Sequence, residues 1–220
     1  MTELLVKNGK IAKSNDDNNL VYNFGIPAFQ SITGVRTCPM AGTCAKGCYA
    51  QAGTYNWPVV KNAYEWRLAQ SMRDDFAEIM GNAIATKLKT AQRTGKQLII
   101  RVNDSGDMYN LEYVSKWFSI MNAYPEVKFY AYTKAVKLFK NIGWQIPANF
   151  TLIYSYGGLQ DNWIDPNIDR HAAVFETAEE AEEAGYTIAN DNDLIAIGPN
   201  KKIGLVFHGA KSKTWTANPA

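Results

Sequence analysis

The sequence predicts an α/β fold, a partial or open (β/α) barrel made by one domain over residues 1–220. Three observations predict it. Short apolar runs of strand length alternate with longer runs of helical periodicity along most of the chain, the pattern of a parallel sheet with helical crossovers. The chain has 220 residues, and a closed eight-fold barrel usually takes about 250. At 46% hydrophobic and 12% aromatic it can bury a sizeable core, so disorder is not expected.

The elements follow in chain order. Residues 8–19 are polar, rich in Asn, Lys and Asp, and read as a loop or flexible start. "LVYNFGIPAF" (20–29) reads as a strand broken by Gly25 and Pro27. A loop with Pro39, Gly42 and Gly47 follows. From Pro58 to Thr94 the spacing of Leu68, Met72, Phe76, Met80, Ala83 and Leu88 is helical, with Gly81 as the expected division between two helices. "QLIIRV" (97–102) reads as a buried strand, "NLEYVSKWFSIM" (110–121) as a helix with Leu111, Val114, Phe118 and Met121 on its apolar face, and "VKFYAYTK" (127–134) and "TLIYSY" (151–156) as strands. "HAAVFE" (171–176) reads as a strand and "TAEEAEEAG" (177–185) as a short helix. Thr177 and Glu180 make a capping box, and Gly185 suits the left-handed position past its end. "DLIAIG" and "KIGLVFHG" read as closing strands joined as a hairpin by "PNKK".

Composition narrows the function. There are 23 basic and 21 acidic side chains, a net charge of +2. That lacks the basic excess of a nucleic-acid binder, so nucleic acid is not indicated as a partner. No apolar run approaches the ~18 residues of a membrane span, and "MTELLVKNGKIAKSNDDNN" lacks the apolar stretch of a signal peptide. No membrane association is expected. A cytoplasmic location with reduced thiols is.

The chemistry concentrates in "TCPMAGTCAKGCYA" (37–50), which holds Cys38, Cys44 and Cys48, all the cysteines of the chain. An odd count speaks against a disulfide scaffold. Three thiolates can hold a [4Fe–4S] cluster, leaving one iron without a protein sulfur. Zinc is the alternative, with three ligands and an open position or with His171 or His208 as a fourth. A C-x5-C-x3-C spacing offers neither the C-x2-C pairs of structural zinc sites nor a redox C-x-x-C, so the cluster is the preferred reading. Gly42 and Gly47 let the loop curl and turn amides inward, and Lys46 adds a positive charge.

In α/β barrels the reactive groups gather where the strands end. The cysteine loop follows the first strand. The second runs into Asp104, Ser105, Gly106 and Asp107, the third ends at Lys134 and the fourth at Tyr156. Tyr130, Tyr132 and Lys134 share one face of their strand, because side chains alternate. Asp104 and Asp107 could equally belong to a tight turn capping the next helix. His208 ends a strand beside Gly209. Arg67 is a candidate to neutralise the cluster, and Lys201, Lys202, Lys211 and Lys213 read as a solvated face.

The order of strand, three-cysteine loop, helix, strand and "SGD" resembles the opening of the radical S-adenosylmethionine (SAM) enzymes. That resemblance implies a radical-SAM-like barrel and a [4Fe–4S] cluster on Cys38, Cys44 and Cys48. SAM would be chelated to the open iron, with Ser105, Gly106 and Asp107 where that superfamily has a Gly-Gly-Glu-like segment engaging the methionyl amine. The sequence departs from the usual C-x3-C-x2-C, and its aromatic neighbour Tyr49 follows the last cysteine instead of preceding it. "TCPMAGTCAKGCYA", "RVNDSGDMYNLEYVSKWF" and "KFYAYTK" also resemble the gene product eighty-eight-like family of bacteriophage proteins, roughly over residues 23–134. Together the resemblances imply a phage-encoded iron–sulfur enzyme working in the host cytoplasm. Asp104, Ser105, Gly106, Asp107 and Tyr156 would bind the cofactor, and Asp107 and Lys134 would serve catalysis. A small molecule would sit at the open iron, with a host protein as electron donor. Two rivals stand beside it: a non-redox hydratase, dehydratase or desulfidase using the open iron as Lewis acid with Asp107 or Asp104 as base, and a metal-stabilised binding or regulatory protein.

Overall fold

The computed structural model of the protein describes residues 2–207. Seven strands, β1 (Asn19–Phe24), β2 (Gln97–Val102), β3 (Lys128–Thr133), β4 (Phe150–Ser155), β5 (His171–Phe175), β6 (Thr187–Ile188) and β7 (Lys202–Val206), make one sheet. Their spatial order is β1-β2-β3-β4-β5-β7-β6 and every pair is parallel. The sheet curls into an open half-barrel.

Alternation along the strands builds two cores. One face packs against the crossover helices α2 (Pro58–Ser71), α3 (Phe76–Arg93) and α4 (Leu111–Ala123), and against α5 (Val136–Asn141) and α6 (Ala178–Glu183). Phe24, Phe76 and Trp117 meet there edge-on or tilted, with ring centroids 5.4–5.8 Å apart. The inner face carries Val21, Ile99, Tyr130, Ile153, Ala172 and Ile203. It is plugged by Ile11 of α1 (Gly9–Lys13) and by the 3-10 turn Asp193–Ile197.

Several expectations are corrected. Residues 8–19 are not a plain loop: Asn8 caps α1 by accepting from the Ile11 amide (2.9 Å), and Ile11 is fully buried. The break in the long helical stretch falls at residues 72–75. Gly81 stays inside α3 because Tyr124 lies against it, its hydroxyl donating to the Gly81 carbonyl (2.8 Å). Leu111 is half exposed, while Val114, Phe118 and Met121 are buried as expected. "DLIAIG" is a 3-10 turn and not a strand. Asn192 caps it by accepting from the Leu194 amide (2.9 Å), and Asp193 is drawn inward by cationic partners. There is accordingly no closing hairpin, and β7 inserts between β5 and the short edge strand β6, parallel to both. Half of the capping box forms: the Glu180 amide donates to Thr177 Oγ1 (3.2 Å), but the Glu180 carboxylate accepts from the Glu176 amide (3.2 Å) in place of that of Thr177; Gly185 has φ +79°. His208, Lys211 and Lys213 lie outside the described residues.

Candidate functional site

A cavity of about 680 Å³ opens where the strands end, bounded by the cysteine loop, the segment after β2 and the end of β3. Cys38, Cys44 and Cys48 all line it, with Asp104, Ser105, Gly106, Asp107 and Lys134. Seven of these eight residues come from two loops that neighbour each other only because β1 and β2 pair in register from Asn19↔Gln97 to Phe24↔Val102.

Direct ties hold the cysteine loop over the strand ends. The Gly42 and Cys44 amides donate to the Gly157 carbonyl after β4 (3.1 and 3.0 Å). Only glycine fits at position 42, since a Cβ would stand 2.8 Å from the Gly158 carbonyl carbon. The Asp107 amide donates to the Thr37 carbonyl (3.0 Å), and the Tyr49 hydroxyl donates to the Asp104 carbonyl. Gly157 and Gly158 are held in turn by Asp161, which accepts from both amides (2.7 and 2.8 Å).

The three thiols are partly buried and free. Burial pushes Cys38 up to about 12, with the nearby Asp107 adding to the effect. Burial also raises Cys44 and Cys48. Lys134 and backbone amides oppose it. The Phe29 amide donates to Cys38 Sγ (3.3 Å), the Gly42 amide favours the thiolate of Cys44, and the Ala50 and Gln51 amides favour that of Cys48. Among the described residues, no three His, Cys, Asp or Glu side chains gather as one metal ion would need.

Asp107 is buried and strongly engaged. Its Oδ1 accepts from Thr133 Oγ1 (2.6 Å) and the Met108 amide (2.7 Å), and its Oδ2 from the Lys134 amide (2.9 Å). Three of the roughly four acceptor positions of a carboxylate are thus used within the protein. Burial raises its pKa against these bonds. Its first role is to lock the segment after β2 to the end of β3. Lys134 donates to Ser155 Oγ (2.8 Å) and to the Ser155 and Tyr156 carbonyls (3.3 and 2.9 Å), which fixes a cation beside Cys44 and Cys48.

Asp104 is buried against Gly25, where a Cβ would stand 2.0 Å from its Oδ1. Its Oδ2 accepts from Asn8 Nδ2 (2.7 Å) and the Tyr64 hydroxyl (3.1 Å), and burial raises its pKa. Gly106 has φ +80°, with Ile26 where a side chain would go. Neither aspartate caps α4. Asn110 does, accepting from the Tyr113 amide (2.8 Å).

Other candidates are placed elsewhere. Tyr156 contributes its carbonyl, but its ring turns into the helix-side core against His171 (5.6 Å between centroids). His171 is fully buried between the Asp169 carbonyl and the Tyr186 hydroxyl (both 2.9 Å), and burial lowers its pKa. Arg67 donates to the Glu3 carbonyl (2.9 Å) and does not line the cavity. Lys46 is exposed.

The sequence reading passed over Arg101. It sits on the inner face, where Nη1 donates to Asp193 Oδ2 (2.7 Å), and it lines the same cavity. A charged residue inside the otherwise apolar "QLIIRV" was the available signal, since buried charges are rare unless paired.

The family model described as Gene product 88 matches residues 2–218. The Gene 88 protein of Mycobacterium phage L5 is 25% identical over 191 residues, covering 78% of this chain and 77% of that protein. The Gene 88 protein of Mycobacterium phage D29 is 24% identical over 212 residues, covering 86% and 84%. No solved structure matches the chain. With nearly its whole length matched, the chain belongs to the Gene product 88 family.

Proposed function

We propose that this protein is an iron–sulfur enzyme of bacteriophage type. Cys38, Cys44 and Cys48 hold a [4Fe–4S] cluster that leaves one iron free for a small molecule, and SAM is the favoured occupant. One observation carries the reading: every thiol of the chain lines one cavity at the strand ends, with backbone amides directed at the sulfurs and the Lys134 cation near Cys44 and Cys48. When bound, such a cluster supplies an open coordination position and one-electron chemistry, with a host protein as electron donor.

The chain's own part is positioning, charge balance and exclusion of water. Lys134 offsets the negative charge of the thiolates. Asp107 holds Thr133 and the Lys134 backbone in register with the cysteine loop, and so acts as a positioning residue. Ser105 and Gly106 line the rim where the methionyl end of SAM would lie. The rings of Tyr49, Tyr55 and Tyr64 form one wall that limits water. The radical-SAM part rests on the order of these segments.

The test is anaerobic reconstitution with iron and sulfide, followed by electron paramagnetic resonance of the reduced protein with and without SAM. A cluster signal that changes on adding SAM is expected. A cluster signal indifferent to SAM would remove the radical-SAM part and favour Lewis-acid chemistry. Absence of any cluster would remove the whole reading.

A further inference from the structure

Beneath the cysteine loop the cavity has a polar floor that the cluster reading does not use. Arg101 projects there from β2 and is 9% exposed. Its Nη1 is committed to Asp193, while Nε is buried without a partner. The guanidinium lies 4.9 Å from the centroid of the Tyr132 ring. The Tyr132 hydroxyl and Asn103 Nδ2 are likewise buried and unpartnered, and all three residues line the cavity. Asn103 is held in place by its Oδ1, which accepts from the Tyr113 hydroxyl (2.7 Å), and one acceptor of the cavity, Asp104 Oδ1, is also unpartnered. Folded proteins rarely leave buried donors unpaired, and three donors against that one acceptor call for another.

Charge identifies the acceptor. Lys10 and Arg101 both pair with Asp193 (2.8 and 2.7 Å), so two positive charges against one negative leave a single positive charge. Asp104 is engaged elsewhere: its Oδ2 is spent on Asn8 and Tyr64, and its Oδ1 is packed against Gly25. The tyrosines beside the floor, Tyr130 and Tyr132, are pushed by burial toward their neutral forms.

We propose that this floor is a carboxylate subsite. Arg101, presenting its Nε edge, acts with the Tyr132 hydroxyl and the Asn103 amide to seat the carboxylate of a small-molecule substrate below the cysteine loop. A planar guanidinium edge matches a planar carboxylate in two parallel hydrogen bonds. Asp193 fixes the orientation of Arg101, and it is itself held by Lys10 and by the Tyr130 hydroxyl (2.6 Å). One net positive charge balances a monoanion, whereas a dianionic phosphate would overshoot it. The aromatic wall above suits an organic body. The subsite goes beyond the cluster reading and does not depend on it.

The experiment is calorimetric titration of the full chain, with and without added iron and sulfide, using benzoate, benzamide and phenyl phosphate. Benzoate is expected to bind in both preparations, and benzamide, which has the shape without the charge, about tenfold or more weakly. Phenyl phosphate should be weaker than benzoate. Arg101→Lys keeps a cation for Asp193 but loses the fork, and should weaken benzoate about tenfold. Tyr132→Phe should weaken it several-fold with the melting temperature unchanged. Equal binding of benzoate and benzamide, no binding of either, tighter binding of phenyl phosphate, or indifference to both variants would each overturn the carboxylate subsite. None of these results bears on whether iron is bound.

Discussion

Asp193 is the residue whose replacement should be felt most widely. Its carboxylate accepts from Arg101 Nη1 (2.7 Å) and the Tyr130 hydroxyl (2.6 Å) and pairs with Lys10 Nζ (2.8 Å). The Asp193 side chain is fully buried, that of Arg101 is 10% exposed and that of Lys10 28%. Asp193→Asn keeps the shape and removes the charge. Arg101 is then left buried without a counter-ion, a loss of about 3–5 kcal/mol. Lys10 reaches solvent more easily and adds little. Against a typical total of about 5–15 kcal/mol this is a large fraction. Urea denaturation at pH 7 reads it directly, and a loss under about 1 kcal/mol would refute the argument. A double replacement, Arg101→Met with Asp193→Leu, should recover most of the loss, because a buried pair costs desolvation that apolar packing does not. Acid adds a check. Burial alone would raise the Asp193 pKa, but Arg101 and Lys10 more than offset it and hold it below 3.8. The stability it contributes is therefore present above that value and lost as pH falls through the lower folded value. Asp193→Asn should lack this component of acid unfolding.

Two further predictions concern other parts of the frame. Gly42→Ala puts a Cβ 2.8 Å from the Gly158 backbone. It should displace the cysteine loop, lower iron uptake severalfold and cost about 1–3 kcal/mol in denaturation; unchanged uptake would mean the loop is not held by that contact. His171 has its pKa lowered from 6.5 by burial. The unfolded chain therefore binds the proton more readily, and stability present above 6.5 declines as pH falls toward the folded value, by at most about 1.4 kcal/mol per pH unit. Comparing urea midpoints of wild type and His171→Gln at neutral and mildly acid pH checks it, and parallel declines in both proteins would count against the assignment.

The fold class was legible because its signals are local. Strands such as "QLIIRV" and helices such as "NLEYVSKWFSIM" carry their period within a few residues, and the parallel order follows from alternation. The cysteine loop was legible for the same reason, and the strand-end rule brought Asp107 and Lys134 beside it. What stayed hidden depends on contacts distant in sequence. Arg101 and Asp193 are separated by 92 residues, and Asn8 and Asp104 by 96. Without the ion pair in view, "DLIAIG" reads as a strand, since a short apolar run has no period to separate strand from turn. Without Asp104 and the inner face to dock on, residues 8–19 read as loop. Tyr156 was misjudged through parity: Ser155 faces the cavity, so the next side chain must face the helices.

The central claim is that the three-cysteine loop holds an iron–sulfur cluster, and counting iron and acid-labile sulfide tests it most directly. Protein purified and reconstituted without oxygen should carry about four of each per chain. Cys38→Ser, Cys44→Ser and Cys48→Ser should each lose most of both while keeping wild-type circular dichroism. A colourless wild-type chain carrying one zinc and no sulfide, or serine variants with undiminished iron and sulfide, would contradict the account.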